Sequence, residues 1–264
     1  MSHPWRSALV TGASSGIGEE IARRLAGSGV ELVLVARSGD RLEALAAELR
    51  TAGSPGVEVL VADLGTGEGL AAVEARLADD GRPVDLLVNN AGVGAAGRFL
   101  ANTADRLAAM IELNVVAPVR LTRAAASGMV ARGRGWIMNV SSLASLQATP
   151  GLATYAASKA FVTNFSEGVH EELRGTGVSV TAVLPGFTRT RFQASAGYED
   201  EQHGLPAFAW QEPGPVAAEA LAATAAGRAR VVCGPVNKVA AVASAVLPRV
   251  VVRRTVDRAT RGRS

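Results

Sequence analysis

Short apolar runs recur along this chain, separated by amphipathic helical patterns, and that alternation restricts the fold more than any other feature. The runs are Ala8–Val10, Leu32–Ala36, Val57–Val61, Leu86–Val88, Trp136–Val140, Val178–Leu184 and Val231–Val232. Helical spacing of apolar residues fills Ile17–Ala26, Asp40–Arg50, Leu70–Ala78, Thr103–Ala131, Thr154–Arg174 and Val216–Ala225. A strand, a helix and another strand repeated in this way close by right-handed crossovers, which predicts an α/β, doubly wound parallel sheet with helices on both faces. A hydrophobic content of 48% and 29 glycines suit Val- and Leu-rich strands joined to helices by tight turns. At 264 residues with no internal repeat, a single domain over 1–264 is expected.

Composition removes several function classes. Cys233 is the only cysteine, so an internal disulfide and a thiol-rich metal site are both excluded. His3, His170 and His203 show no metal-ligand spacing, and no metal is expected. The net charge of +3 is uneven: from Arg228 onward nine Lys/Arg face the single acid Asp257, leaving the rest of the chain at −5. That distribution argues against nucleic-acid binding. The N-terminus lacks a basic-then-apolar signal, and the late apolar run Val239–Leu247 falls well short of the roughly 20 residues that span a bilayer. A soluble, cytoplasmic protein is expected.

Immediately after the first strand, Thr11-Gly12-Ala13-Ser14-Ser15-Gly16-Ile17-Gly18 opens into a helix. Gly12 permits a tight turn, Gly16 lets backbone N–H groups approach a pyrophosphate, and Gly18 permits close helix packing. The helix N-terminus adds positive potential, so an anion belongs there. The second strand ends Ala36-Arg37, about 19 residues past Gly18, where a dinucleotide fold reads the adenosine ribose. An acid there favours the ribose 2′-hydroxyl, whereas an arginine favours a 2′-phosphate, so NADP(H) is expected ahead of NAD(H).

The chain has two tyrosines and two lysines, and Tyr155 and Lys159 stand four apart on a helical pattern. That spacing puts phenol and ammonium on one helix face. A neighbouring cation favours phenolate, so Lys159 is expected to lower the Tyr155 pKa toward the range of proton exchange at neutral pH.

With these residues in hand, the chain resembles the short-chain dehydrogenase/reductase family, in its short single-domain branch. The resemblance rests on Thr11–Gly18, Asp63-Leu64, Asn89-Asn90-Ala91-Gly92, Asn114, Ser141-Ser142, Tyr155-Ala156-Ala157-Ser158-Lys159 and Pro185-Gly186 followed by Thr188 and Thr190. It implies a Rossmann-type fold with a seven-stranded parallel sheet. It implies Tyr155 as catalytic acid/base, Lys159 as its electrostatic partner and ligand of the nicotinamide ribose, and Ser142 as the group polarising the substrate carbonyl. Asn114 would hold a water of a proton relay behind Lys159, and Ser141 would be structural. Asp63 would contact adenine and Asn90 would lie along the adenosine ribose, with Leu64, Ala91 and Gly92 also binding the cofactor, while Asn89 ties strands together. Pro185, Gly186, Thr188 and Thr190 would receive the carboxamide and pyrophosphate.

The expected reaction is reversible hydride transfer between the nicotinamide and a carbonyl or secondary alcohol. A segment over 188–215, rich in Gly, Pro and aromatic residues, reads as a substrate lid. Phe187, Phe192, Phe208 and Trp210, with Arg189 and Arg191 nearby, suggest a hydrophobic carbonyl substrate. Long Ala-rich helices resemble family dimer interfaces and imply a homodimer or homotetramer. The tail over 236–264 reads as a docked helix with a basic end, in preference to a membrane-surface contact. Two rivals are a non-catalytic NADP(H)-binding sensor and, less favoured, an epimerase or dehydratase of the longer family branch.

Overall fold

The computed structural model describes residues 4–192 and 209–246. The middle of the expected lid and the arginine-rich part of the tail, residues 193–208 and 247–264, lie outside the described residues.

Seven strands form one parallel sheet: β1 (Ser7–Thr11), β2 (Glu31–Ala36), β3 (Val57–Val61), β4 (Leu86–Asn89), β5 (Gly135–Val140), β6 (Val178–Leu184) and β7 (Arg230–Val232). Their order is β3-β2-β1-β4-β5-β6-β7, so the chain reverses direction across the sheet between β1 and β4. Helices α1 (Gly16–Ala26), α2 (Gly39–Thr51), α3 (Gly67–Leu77), α4 (Ala104–Ile111), α5 (Ala117–Ala131), α6 (Ala153–Glu172), α7 (Pro213–Ala225) and α8 (Pro235–Val246) surround it. The expected doubly wound parallel sheet is what the chain forms.

The strand period decides which side chain faces which layer. On β1 and β2, Ala8, Val10, Leu32 and Leu34 pack with Ile21 and Leu25 of α1, Leu42 and Leu49 of α2, and Val216 and Leu221 of α7. The alternate residues Leu9, Val33 and Val35 pack with Leu70 and Val73 of α3 and Leu121 and Ala125 of α5. Two cores thus sandwich the sheet, and all carboxyl ends of the strands open on one edge. A crevice at that edge, beside the β1/β4 reversal, is where an open parallel sheet binds ligands.

The stretch expected as one helix over Thr103–Ala131 is interrupted. Between α4 and α5, Glu112–Val116 form a π turn. Pro118, at the start of α5, has no N–H to answer the Asn114 carbonyl, and its ring crowds that oxygen, so the regular ladder cannot pass. The interruption falls on Asn114.

Candidate active site

At the end of β1, Gly12 and Gly16 have φ of 64° and 62°, a left-handed backbone that glycine adopts without strain. Close packing removes any remaining room: a Cβ on Gly18 meets Asn90 Nδ2 at 2.3 Å and the Gly12 carbonyl at 2.6 Å, and one on Gly16 meets the Thr190 methyl at 2.8 Å. Asn90 Nδ2 donates to the carbonyls of Thr11 and Gly12 at 3.0 and 3.2 Å, so this side chain clamps the loop from beneath. The buried Thr11 hydroxyl accepts from the N–H groups of Asn90 and Ala91, each at 3.0 Å, joining the ends of β1 and β4. Ser15 precedes α1 in an extended conformation and makes no side-chain capping bond. The first N–H groups of α1 therefore face the crevice, with Ser14, Ser15 and Ile17 along its wall.

At the end of β2, Arg37 lies 3.8 Å from the Asp63 carboxylate, and both are well exposed, at 69% and 43% of the side chain. An exposed pair of this kind is held weakly, by at most about 1 kcal/mol, so Arg37 can turn to another anion. Arg41, which the sequence reading passed over, lines the same wall. Asp63 also accepts from the Gly65 N–H at 2.9 Å, and Leu64 is buried in the core beneath.

The opposite wall is built by β5 and α6. The Ser142 hydroxyl faces the Tyr155 phenol, whose charged form it favours, and accepts from the Ala144 N–H at 3.1 Å. Lys159 is buried, and its Nζ donates to the Val140 carbonyl at 2.9 Å and stands 5.9 Å from the Tyr155 ring centroid. Burial pushes the Tyr155 phenol up to about 12, against a smaller lowering by Ser142. The same burial pushes Lys159 down to about 8. The expected lowering of Tyr155 by Lys159 is therefore overturned here: loss of water outweighs the cation, which leans toward the β5 carbonyl. Ser141, buried next door, bonds the Lys159 carbonyl and the Thr163 hydroxyl, both at 2.7 Å, and anchors α6 to β5.

Asn114 exchanges two bonds with Val93, donating to its carbonyl at 2.9 Å and accepting from its N–H at 3.0 Å. A Cβ on Gly92 meets Asn114 Oδ1 at 3.1 Å and Lys159 Nζ at 3.4 Å, so Gly92 brings these two groups together. Behind them a small cavity is lined by Thr11, Asn89, Asn114 and Lys159. Asn89 Nδ2 donates to Asn139 Oδ1 at 2.8 Å, tying β4 to β5, while its own Oδ1 is buried with no partner. Asn139 continues to the Ser166 hydroxyl of α6 at 2.9 Å. Asn139, Thr122 and Ser166 were not singled out in the sequence, because nothing local marks a polar side chain whose partners lie 17 to 50 positions away.

After β6, the Pro185 carbonyl accepts from the Leu143 N–H at 2.8 Å, joining this segment to the Ser142 loop. Thr188 bridges in parallel to Gln211, and Arg189 N–H donates to the Gln211 carbonyl at 2.9 Å. The two described ends of the expected lid are therefore fastened together. Gly186 packs so tightly on Asn237 of α8 that a Cβ falls 2.3 Å from its Nδ2. Phe192 lies 5.6 Å from the Tyr155 ring.

All these walls belong to one cleft of about 1240 Å³, running from Arg37 past Gly12–Ile17 and Gly92 to Ser142, Tyr155 and Lys159, and on to Gly186, Thr188, Thr190 and Phe192. The residues fit a nicotinamide dinucleotide: uncapped helix N–H groups suit a pyrophosphate, Arg37 and Arg41 an anion at the ribose end, and Lys159 a sugar hydroxyl. Among the described residues no helix is long and apolar enough to cross a membrane, and no cluster of metal-ligating side chains occurs.

A family model described as short chain dehydrogenase matches residues 6–201. The very-long-chain 3-oxoacyl-CoA reductase of Anas platyrhynchos is 35% identical over 188 residues, which make up 70% of this chain and 60%, less than two thirds, of that reductase. A solved structure, the short-chain dehydrogenase from Sphingobium yanoikuyae in complex with NADPH, is 39% identical with a TM-score of 0.82, over 90% of this chain and 92% of that one. The bulky-bulky ketone specific alcohol dehydrogenase from Comamonas testosteroni is 32% identical with a TM-score of 0.78, over 92% and 95% of the two chains. Fold, cleft and relatives agree that this chain belongs to the short-chain dehydrogenase/reductase family of nicotinamide-dependent oxidoreductases.

Proposed function

We propose that this protein is an NADP(H)-dependent reductase of bulky, apolar ketones, able to run in reverse on the secondary alcohols. The observation that carries this reading is the continuity of the cleft: Tyr155, Ser142 and Lys159 share it with the glycine loop and with Arg37. Bound there, the nicotinamide supplies a hydride to the carbonyl carbon. Tyr155, pushed up to about 12, holds its proton at neutral pH and is the donor to the carbonyl oxygen. Ser142 offers a second hydrogen bond to the developing oxyanion. Lys159 uses one of its three donors on Val140, leaving the others for the nicotinamide ribose. Asn114 positions the water that returns a proton behind Lys159, since Pro118 leaves its carbonyl without the usual helical donor.

Thr11, Gly12, Ser14, Ser15, Gly16, Ile17 and Gly18 take the pyrophosphate side of the cofactor, and Asp63, Leu64, Asn90, Ala91 and Gly92 the adenosine side. Pro185, Gly186, Thr188 and Thr190 take the carboxamide side. Phe99, Leu143, Phe187 and Phe192 give the substrate end an apolar lining, which suits a bulky ketone; the activities in the names of two relatives are of the same kind. Exposed Ile111, Val130 and Phe161 on α4, α5 and α6 support a homodimer or homotetramer.

NADPH and NADH consumption against aliphatic, aromatic, steroidal and 3-oxoacyl thioester ketones tests the reading, with Tyr155→Phe alongside. NADPH oxidation is expected to exceed NADH oxidation. Tyr155→Phe should lower turnover by about 100-fold or more while leaving NADPH affinity within a few-fold. Turnover near wild type in that variant removes Tyr155 as the acid, and NADPH binding without turnover on any ketone moves the protein to the non-catalytic sensor.

A further inference from the structure

Thr190, Arg191 and Phe192 follow β6 along the cleft, and the outer two fix where the middle one stands. Thr190 packs its methyl on Gly16, within 2.8 Å of where a Cβ on that glycine would fall. Phe192 places its ring 5.6 Å from that of Tyr155. The Phe192 N–H donates to the Thr190 hydroxyl at 3.3 Å, which turns the backbone at Arg191. Arg191 thus stands over the junction between the glycine loop and the Tyr155 wall, where it is exposed and lines the cleft. Arg189 is committed elsewhere, to Glu212 at 3.4 Å and to the face of Trp210 at 5.5 Å. Among the described residues Arg191 has no ion-pair partner.

That junction is short of positive charge. Thr11–Gly18 contains no charged side chain, and the first turn of α1 carries Glu19. The α1 N-terminus supplies about half a unit of positive charge, whereas a dinucleotide has a negative charge on each of its two bridging phosphates. The other cations of the cleft are placed away from it. Arg37 and Arg41 line the wall beyond β2, Lys159 donates to the Val140 carbonyl, and Arg98 follows Gly97, whose N–H donates to the Gly151 carbonyl at 3.1 Å near the start of α6. Asp63 is the one carboxylate among the described residues lining the cleft, and it faces Arg37, so nothing there competes for Arg191. We propose that Arg191 is a further cofactor ligand, the cation that completes the pyrophosphate site begun by the α1 N-terminus. This rests on the reading of the cleft as a nicotinamide dinucleotide site. It divides the labour between two arginines: Arg37 separates NADPH from NADH, and Arg191 strengthens both alike, because both carry the pyrophosphate.

Isothermal titration of NADPH, NADH, ADP and adenosine 2′-phosphate into wild type, Arg191→Gln and Arg191→Lys tests the assignment. Arg191→Gln should weaken NADPH, NADH and ADP by one common factor of about ten, the size of a charge-assisted contact, and leave adenosine 2′-phosphate within twofold. The loss should shrink as salt rises, since the side chain is exposed, and Arg191→Lys should recover most of the affinity. The thermal midpoint of the free protein should stay near wild type, which shows the fold intact. A loss confined to NADPH and adenosine 2′-phosphate assigns Arg191 to the 2′-phosphate and overturns the proposal. Unchanged affinity for all four ligands overturns it too, as does a rise in ketone KM with cofactor affinity intact, which makes Arg191 a substrate contact. Wild type that binds neither NADPH nor NADH removes the reading of the cleft along with it, whereas wild-type binding that Arg191→Gln leaves intact removes this proposal alone.

Discussion

The two ends of the cleft are built by opposite means. At the glycine-loop end the geometry depends on atoms that are missing, since a single methyl on Gly18 collides with both Asn90 and the Gly12 carbonyl. At the Tyr155 end it depends on atoms that are present, a buried chain of side-chain bonds from Asn89 through Asn139 to Ser166, with Ser141 and Thr163 holding Lys159 in place. One end is intolerant of addition and the other of deletion. A ligand laid across both is gripped by backbone at one end and by polar side chains at the other.

Paired substitutions break this comparison most directly. Gly18→Ala should weaken NADPH by about ten- to a hundredfold, the overpacking of a tight site costing about 1–3 kcal/mol, with a smaller effect on the thermal midpoint. Asn139→Ala should do the reverse, lowering stability by about 1–3 kcal/mol through the unsatisfied amide of Asn89 while NADPH affinity stays within a few-fold. Isothermal titration and thermal unfolding on the two variants decide. Equal losses in both measurements for both variants mean that the ends are one structural unit.

Within the glycine-loop end, Arg37 is the exception, a side chain that contributes by its charge. Its weak partner Asp63 leaves it available. Arg37→Ala should weaken NADPH by about ten- to a hundredfold, the worth of a charge-assisted bond to phosphate at about 1.5–3 kcal/mol, and leave NADH affinity unchanged. An equal loss of both cofactors makes Arg37 a structural residue of the Asp63 loop.

The same opposition explains what was legible in the sequence. Each of the seven expected strands is found, with ends displaced by no more than a residue or two, because burial on both faces of the central strands writes continuous apolar runs and the edge strands are still half-buried. The glycine loop was legible because steric exclusion leaves one residue type. Tyr155 and Lys159 could be named from their spacing and Ser142 from the family resemblance, but not the balance of burial and charge on Tyr155, which depends on how much wall β5, α6 and Phe192 supply. The π turn at Glu112–Val116 had one local signal, Pro118, and helical periodicity on either side concealed it. Asn139 and Ser166 gave no signal at all, since their meaning lies in partners from other strands and helices.

Titration sharpens the comparison at the Tyr155 end. Lys159, pushed down to about 8, is a cation at neutral pH and loses its proton just above it. Ketone reduction should hold level below pH 8 and fall above, and Lys159→Arg should abolish that limb, since a guanidinium keeps its proton. The stability effect has its own sign. Between about 8 and 10.5 the unfolded lysine holds a proton that the folded one has lost, so this group's contribution to stability rises with pH and is lost as pH falls through 8. Tyr155 acts oppositely above its ordinary value of 10, where the folded phenol keeps a proton that the unfolded one releases. The thermal midpoint of wild type relative to Lys159→Met should therefore climb from pH 8 to 10. A flat difference across that range removes burial as the cause of the Lys159 shift.

The smallest effect expected concerns Phe192, whose ring leans on Tyr155 at 5.6 Å. It closes the apolar wall on the described end of the lid segment, and burial is what pushes the phenol up. An aromatic pair of this kind is worth about 0.5–1.5 kcal/mol, so Phe192→Leu should change turnover by a factor of about two to ten. The direction matters more than the size. With less apolar wall the phenol is better hydrated and its pKa falls, so alcohol oxidation, which needs the phenolate, should begin at lower pH in the variant, while ketone reduction at neutral pH slows slightly. A pH profile of alcohol oxidation that stays fixed while KM rises makes Phe192 a substrate contact alone, and the high Tyr155 pKa then belongs to β5 and α6 rather than to the lid.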